Sequence, residues 1–121
     1  MKVLVADDSE LFRKHLVSDI STIHGVEIVG QAENGIVASE LIGTLKPDVV
    51  ILDIRMPGGN GIDVLQSIEK HSGIPVVIML TNYPYPQYRK KCIESGADFF
   101  FDKSAEFEKV FETLQHLIQS S

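Results

Sequence analysis

The sequence predicts an α/β fold, a doubly wound five-stranded parallel sheet in the order 2-1-3-4-5, formed as five βα repeats in a single domain over residues 1–121. Three observations carry this expectation. Strand-like and helix-like patches alternate along the whole chain, with no internal repeat, linker or low-complexity segment. Lys2–Ala6, Asp48–Leu52 and Pro75–Leu80 are nearly continuous apolar runs, the mark of parallel strands covered on both faces. The polar residues that interrupt these runs fall at their carboxyl ends.

Each element has its own signal. Val26–Gln31 and Asp98–Phe101 read as the second and fifth strands. Ser9 and Asn34 stand where the caps of the first two helices belong, and Ala38, Leu41, Ile42 and Leu45 give the second helix its apolar stripe. Gly61 to Lys70 supplies the third helix. The fourth, Tyr85 to Ser95, is thinly apolar, carries Arg89-Lys90-Lys91, and has its start delayed by Pro84 and Pro86. The fifth is the clearest: Phe107, Val110, Phe111, Leu114, Leu117 and Ile118 fall at helical spacing behind Ser104 as its cap. Parallel strands joined by helices require right-handed crossovers, which leads to the flavodoxin-like (βα)5 arrangement.

Composition narrows the function classes. At 121 residues, 44% hydrophobic and 23% charged, the chain is an ordinary globular domain with a core of its own. A net charge of −6 argues against direct nucleic-acid binding and against association with anionic membranes. The lone Cys92 allows no intrachain disulfide, which fits a reducing cytoplasm. Two acids interrupt the N-terminus before a signal-peptide core could form, and no run approaches a membrane span, so no membrane insertion is expected. His15, His24, His71 and His116 read as surface residues, and Cys92 as a packing residue.

The chemistry follows from the strand ends. Ligands of an open parallel sheet bind beyond the carboxyl ends, where the winding reverses, here between strands one and three. Strand one ends in Asp7-Asp8, strand three in Asp53 and strand four in Thr81, while Lys103 follows strand five. Three carboxylates in one pocket repel unless a counter-charge joins them. Magnesium, a hard cation that takes oxygen ligands, resolves the repulsion. A carboxylate surrounded by a metal, an ammonium and a hydroxyl is built to stabilise added negative charge, and a phosphoryl group on Asp53 fits. The Pro57-Gly58-Gly59-Asn60-Gly61 stretch lets backbone approach while leaving the carboxylate accessible.

This pattern resembles the receiver domain of two-component response regulators, of the stand-alone chemotaxis type. The resemblance covers essentially the whole chain. It rests on Asp7-Asp8, on Asp53 with Met56-Pro57-Gly58 and Gly61 behind it, on Thr81 and on Lys103, each on the matching element. Ala32-Glu33-Asn34-Gly35 with Ala38, and Gly96-Ala97-Asp98, resemble the family's framework turns. The resemblance implies that Asp53 is the phosphoacceptor, Asp8 a direct magnesium ligand, Asp7 a ligand through water and the Arg55 backbone carbonyl a further ligand, with Mn2+ able to substitute. It implies that Lys103 pairs with the carboxylate and then with the phosphoryl oxygens. Thr81 moves its hydroxyl onto the phosphoryl group, and Phe100 stands for the aromatic that turns inward as it does. The implied donor is a histidine kinase or histidine phosphotransfer protein, with small acyl phosphates as substitutes. The implied signalling surface is the fourth helix, fifth strand and fifth helix, contacting a downstream protein target or a linked output domain. The chain would be a cytoplasmic monomer or a phosphorylation-dependent dimer.

A full switch takes roughly 5.5 kcal/mol of differential stabilisation. Two or three charge-assisted hydrogen bonds of about 1.5–3 kcal/mol each reach that scale with little excess. Partner binding therefore completes a partly shifted equilibrium as readily as phosphorylation alone throws it.

The sequence departs from the family pattern in places. Asn82 follows Thr81 where a small residue is usual, and narrows the phosphoryl pocket. Ser104 replaces the proline that often follows the lysine, and a cis Lys103–Ser104 bond would cost ~2.5–4 kcal/mol, so none is assumed. Tyr83-Pro84-Tyr85-Pro86 makes a stiff aromatic loop, a surface for a specific partner. Arg55 and Tyr83 each lie two residues past a site residue, where their side chains can hinder an attacking water and slow self-dephosphorylation.

Rival classes fit less well. An aspartyl-phosphate phosphohydrolase of the haloacid-dehalogenase type needs a second aspartate where Arg55 stands. A flavin domain needs a phosphate loop where Asp7-Asp8-Ser9-Glu10 would repel phosphate. A binding module that is never phosphorylated has no need of Asp8, Asp53, Thr81 and Lys103 together. The expectation is a signalling phosphoacceptor that catalyses only its own phosphoryl transfer and slow dephosphorylation, and is no enzyme toward other substrates.

Overall fold

The apolar runs become strands and the periodic segments pack over them. The structure is a computed structural model that describes residues 1–68 and 75–120. In chain order it contains β1 (Lys2–Ala6), α1 (Glu10–Ile20), β2 (Glu27–Ala32), α2 (Gly35–Leu45), β3 (Val49–Leu52), α3 (Gly61–Ser67), β4 (Val76–Thr81), α4 (Pro86–Glu94), β5 (Phe99–Asp102) and α5 (Phe107–Gln119). The strands form one parallel sheet in the order β2-β1-β3-β4-β5, the flavodoxin-like arrangement.

Strand alternation divides the core into two layers, because successive side chains point to opposite faces. Leu4, Val50, Leu52, Val77, Met79 and Phe100 face Ala38 of α2, Leu65 of α3 and Cys92 of α4. Val3, Val5, Val49, Ile51, Ile78 and Leu80 face Leu16 and Ile20 of α1 and Val110 and Leu114 of α5. The central β3 is buried along its whole length, which explains its unbroken apolar sequence.

Three helices, α1, α2 and α3, start at side-chain caps, and α4 and α5 do not. Ser9 Oγ accepts from Phe12 N–H and Asn34 Oδ1 from Val37 N–H, at 3.2 and 2.8 Å. Asn60 and Asp63 form a reciprocal capping box at α3. Pro86 sits in the first turn of α4, where its missing N–H costs nothing. Ser104 does not cap α5: its N–H donates to Asp102 Oδ1 at 2.8 Å in a turn after β5, and Glu106 takes the cap position without a side-chain cap bond. The Lys103–Ser104 peptide is trans. α3 ends at Ser67; Lys70, the expected end of that helix, and His71 lie outside the described residues. Among the described residues no helix is long and apolar enough to cross a membrane.

Candidate functional site

β1 and β3 are neighbours in the sheet, so the residues just past their carboxyl ends meet. The backbone still holds them: Asp7 N–H donates to Ala32 O at 2.9 Å and Asp53 N–H to Ala6 O at 3.0 Å. The two carboxylates therefore leave from fixed positions. Together with Asp8, their oxygens lie within 4.8 Å of one another. Asp8 is exposed, whereas the side chains of Asp7 and Asp53 keep only 4% and 7% of their surface in contact with solvent.

The loop behind Asp53 is shaped by glycine. Gly58 and Gly59 adopt φ of 70° and 106°, a region costly for other residues, and turn the chain back. Gly61 N–H then donates to Ile54 O at 2.6 Å, and a Cβ on Gly61 would collide with the Asp53 carbonyl. This close return places α3 beside the phosphoacceptor candidate and leaves its carboxylate free to face the cluster.

Lys103 closes the site from β5. Its N–H donates to Thr81 O at 2.9 Å, fixing the chain where the stem can reach across β4. Its Nζ lies 3.0 Å from Asp53 Oδ2 and 2.6 Å from Asp7 Oδ2, with the side chain 7% exposed. The sequence gives no hint of the second pair, which depends on where β1 and β5 end in space. Burial pushes the Asp53 carboxyl above its ordinary range; the Lys103 charge and hydrogen bond only partly offset this, and the Asp7 charge adds to it. For Lys103, burial alone would lower the value, but the hydrogen bond to Asp7 and the charges of Asp53 and Asp7 outweigh it and hold the ammonium above its ordinary range.

The remaining predicted residues lie around this centre. Thr81 is fully buried at the end of β4, and its Oγ1 accepts from Tyr83 N–H at 2.9 Å and makes no bond to Asp53. Phe100 is already inside, 3% exposed, with the Arg89 guanidinium 5.4 Å above its ring. Arg55 is exposed; its guanidinium stacks 3.8 Å over the Tyr83 ring and reaches Tyr88 Oη at 3.3 Å. Tyr83, Tyr85 and Tyr88 form a ladder of rings 6.2 and 5.7 Å apart. Phe12, which no motif in the sequence marks, places its ring 4.3 Å from Lys103 Nζ. Nothing in its residue type separates it from an ordinary core aromatic of α1.

The donor set fits a hard divalent cation. Asp7, Asp8 and Asp53 offer only oxygen ligands, and their converging carboxylates with one ammonium leave two negative charges uncompensated. Asp53 Oδ1 also accepts from Ile54 N–H at 2.7 Å and Asp7 Oδ1 from Ser9 N–H at 2.9 Å, so the backbone orients both groups. The arrangement can hold an anion-bearing carboxylate between a cation and an ammonium.

Comparison with known proteins gives this geometry a family. Residues 3–115 match the response regulator receiver domain. The chain belongs to that family. The receiver is similar to the transcriptional regulatory protein YdfI of Bacillus subtilis, 33% identical over 120 residues, covering 99% of this chain and 56% of that protein. It is 29% identical to the response regulator GacA of Pseudomonas aeruginosa, over 97% of this chain and 55% of GacA. The receiver thus spans about half the length of such curated relatives. Among solved structures, the response regulator domain of Thermotoga maritima CheB aligns with TM-score 0.84 at 33% identity, covering 99% of this chain and 94% of that one. The receiver domain of the putative response regulator NarL from Mycobacterium tuberculosis gives 0.87 at 30% identity, covering 99% and 97%. The receiver fold is that of two-component response regulators, which implies phosphoacceptor signalling.

Proposed function

We propose that Asp53 accepts a phosphoryl group from a histidine kinase or histidine phosphotransfer protein, in the presence of Mg2+, and that this changes the α4–β5–α5 surface for a partner. The observation that carries the reading is the convergence of Asp7, Asp8 and Asp53 around one point with Lys103 reaching in from the opposite side. Asp8 and Asp53 would hold the ion directly, with the Arg55 carbonyl, and Asp7 through water; Mn2+ would substitute. The ion supplies charge neutralisation for the transferring group. A similar structure supports this: a chain of the CheX–CheY–BeF3–Mg2+ complex of Borrelia burgdorferi is 30% identical, with TM-score 0.84.

The chain's own residues supply the rest. An Asp53 oxygen attacks the phosphorus in line; the new P–O bond forms as the P–N bond of the donor phosphohistidine breaks, and its electron pair stays on the imidazole nitrogen. Lys103 trades its carboxylate contacts for phosphoryl oxygens. Thr81 releases Tyr83 N–H and turns its hydroxyl to the phosphoryl group, so the loop leading to α4 is freed at the same moment. Phe100 is already buried, so its part is to hold the inward position under Arg89. The receiver acts in the cytoplasm and catalyses nothing beyond its own phosphorylation and slow dephosphorylation.

Incubation with phosphorylated kinase domains tests the reading: the cognate kinase transfers one phosphoryl group to the wild type and none to Asp53→Asn. Transfer to the variant, or from no kinase tried, contradicts it. The stacked Arg55 and Tyr83 shield the phosphoryl group from water, so Arg55→Ala and Tyr83→Ala shorten the phosphoryl half-life; unchanged lifetimes in both remove the shielding role.

A further inference from the structure

We propose that Phe12 is a positioning residue for Lys103: the face of its ring holds the ammonium against the carboxylates, so that the charge needed by the phosphoryl group stands in place before the group arrives. This rests on the phosphoacceptor reading above. An ammonium carries three N–H donors. Among the described residues Lys103 Nζ meets two acceptors, Asp7 Oδ2 at 2.6 Å and Asp53 Oδ2 at 3.0 Å, and the Phe12 ring lies 4.3 Å from it. With the side chain 7% exposed, the ring replaces water as the third neighbour of a desolvated cation. The negative face of an aromatic ring attracts a cation, and does so more strongly when water is excluded.

The ring itself is held. Phe107, the first residue of α5, meets it edge-on, with centroids 5.7 Å apart and planes at 82°. His15 in turn stacks on Phe107, with centroids 5.6 Å apart. Ser9 fixes the backbone of Phe12 by accepting its N–H. The ring's place is thus set by two helices, not by its own rotamer preference alone. Lysine has a flexible four-carbon stem and a compact charge, so an unheld Lys103 would spread over several positions. Holding it removes that freedom in advance, which lowers the cost of reaching the reactive geometry.

The test replaces Phe12 with phenylalanines carrying one to five ring fluorines, which withdraw electron density from the ring face while nearly preserving its shape. Two signals are read: the Lys103 Nζ and Cε chemical shifts in metal-free protein, and the rate constant for Asp53 phosphorylation by acetyl phosphate at saturating concentration with magnesium. The Lys103 shifts move stepwise with fluorine number. The saturated rate falls stepwise, by roughly two- to thirtyfold across the series, while the half-saturating acetyl phosphate concentration is unchanged. Phe12→Tyr keeps the rate and Phe12→Leu loses it, although leucine fills the space. Lys103 signals that stay still, a rate flat across the series, or leucine performing as well as tyrosine each overturn the proposal. A wild-type chain that takes up no phosphoryl group overturns the phosphoacceptor reading instead, and the metal-free shifts still decide the role of Phe12.

Discussion

Charge is handled in opposite ways at the carboxyl edge of the sheet and on α4. At the edge, Asp7, Asp53 and Lys103 are almost dry, and each is tied to the others or to backbone. On α4, Lys90 and Lys91 lie in solvent, Arg89 is exposed with its guanidinium over Phe100, Cys92 is the one buried side chain of the helix, and Ile93 is exposed. Desolvated charge is costly and depends on its partners, whereas solvated charge contributes little to stability. The edge thus holds its charges at a cost in stability, whereas α4 is anchored by few apolar side chains, the condition under which low local stability is expected. α5 on the other side of β5 buries Val110 and Leu114 and is held more firmly.

The largest effect should come from removing the shared cation. Lys103→Met leaves Asp7 and Asp53 facing each other without it, and breaking a buried pair costs about 3–5 kcal/mol. Guanidinium unfolding of metal-free protein measures this, and a loss below ~1 kcal/mol would show that the edge is solvated and its ion pairs are screened. The pH dependence has a defined sign. The Lys103 value is raised above its ordinary 10.5, so its stabilisation is fully present below that value and is lost as pH rises through the raised one. The gap between wild type and Lys103→Met should hold through neutral pH and close only in strong alkali.

Asp53→Asn should change stability less and in the opposite direction. The Asp53 value is raised above its ordinary 3.8, so folding favours its protonated form, and the ionised carboxylate is a cost at neutral pH. The variant is therefore more stable than wild type in chelator-containing buffer at pH 7. The advantage shrinks on acidification through the raised value and is gone below 3.8. Equal stability of the two proteins at pH 7 would contradict the burial argument. The smallest effect belongs to α4: Lys90→Ala, which removes an exposed contact to Glu94 at 4.0 Å, changes stability by no more than about 0.5 kcal/mol.

The frame is legible in the residues because its causes are local. Continuous apolar runs locate β1, β3 and β4 to within a residue, β2 and β5 fall as close to their expected bounds, and Ser9 and Asn34 mark two helix starts, since capping needs only a side chain and the next few N–H groups. Ser104 misleads for the same local reason: Asp102 captures its N–H, so the turn after β5 continues and α5 begins later. Strand-end logic brings Asp7, Asp8, Asp53, Thr81 and Lys103 to one edge. It says nothing of which carboxylates Lys103 reaches, or that Phe12 lies against it. Those contacts join β5 to β1 and α1 through space, and no spacing along the chain encodes them.

The most direct test is the intact mass of the protein after incubation with acetyl phosphate, with and without magnesium. Wild type should gain one phosphoryl group only with the metal, peptide mapping should place it on Asp53, and Asp53→Asn should gain none. A mass gain that survives Asp53→Asn, or no gain under any condition, would contradict the assignment of this buried acidic edge as a phosphoacceptor site.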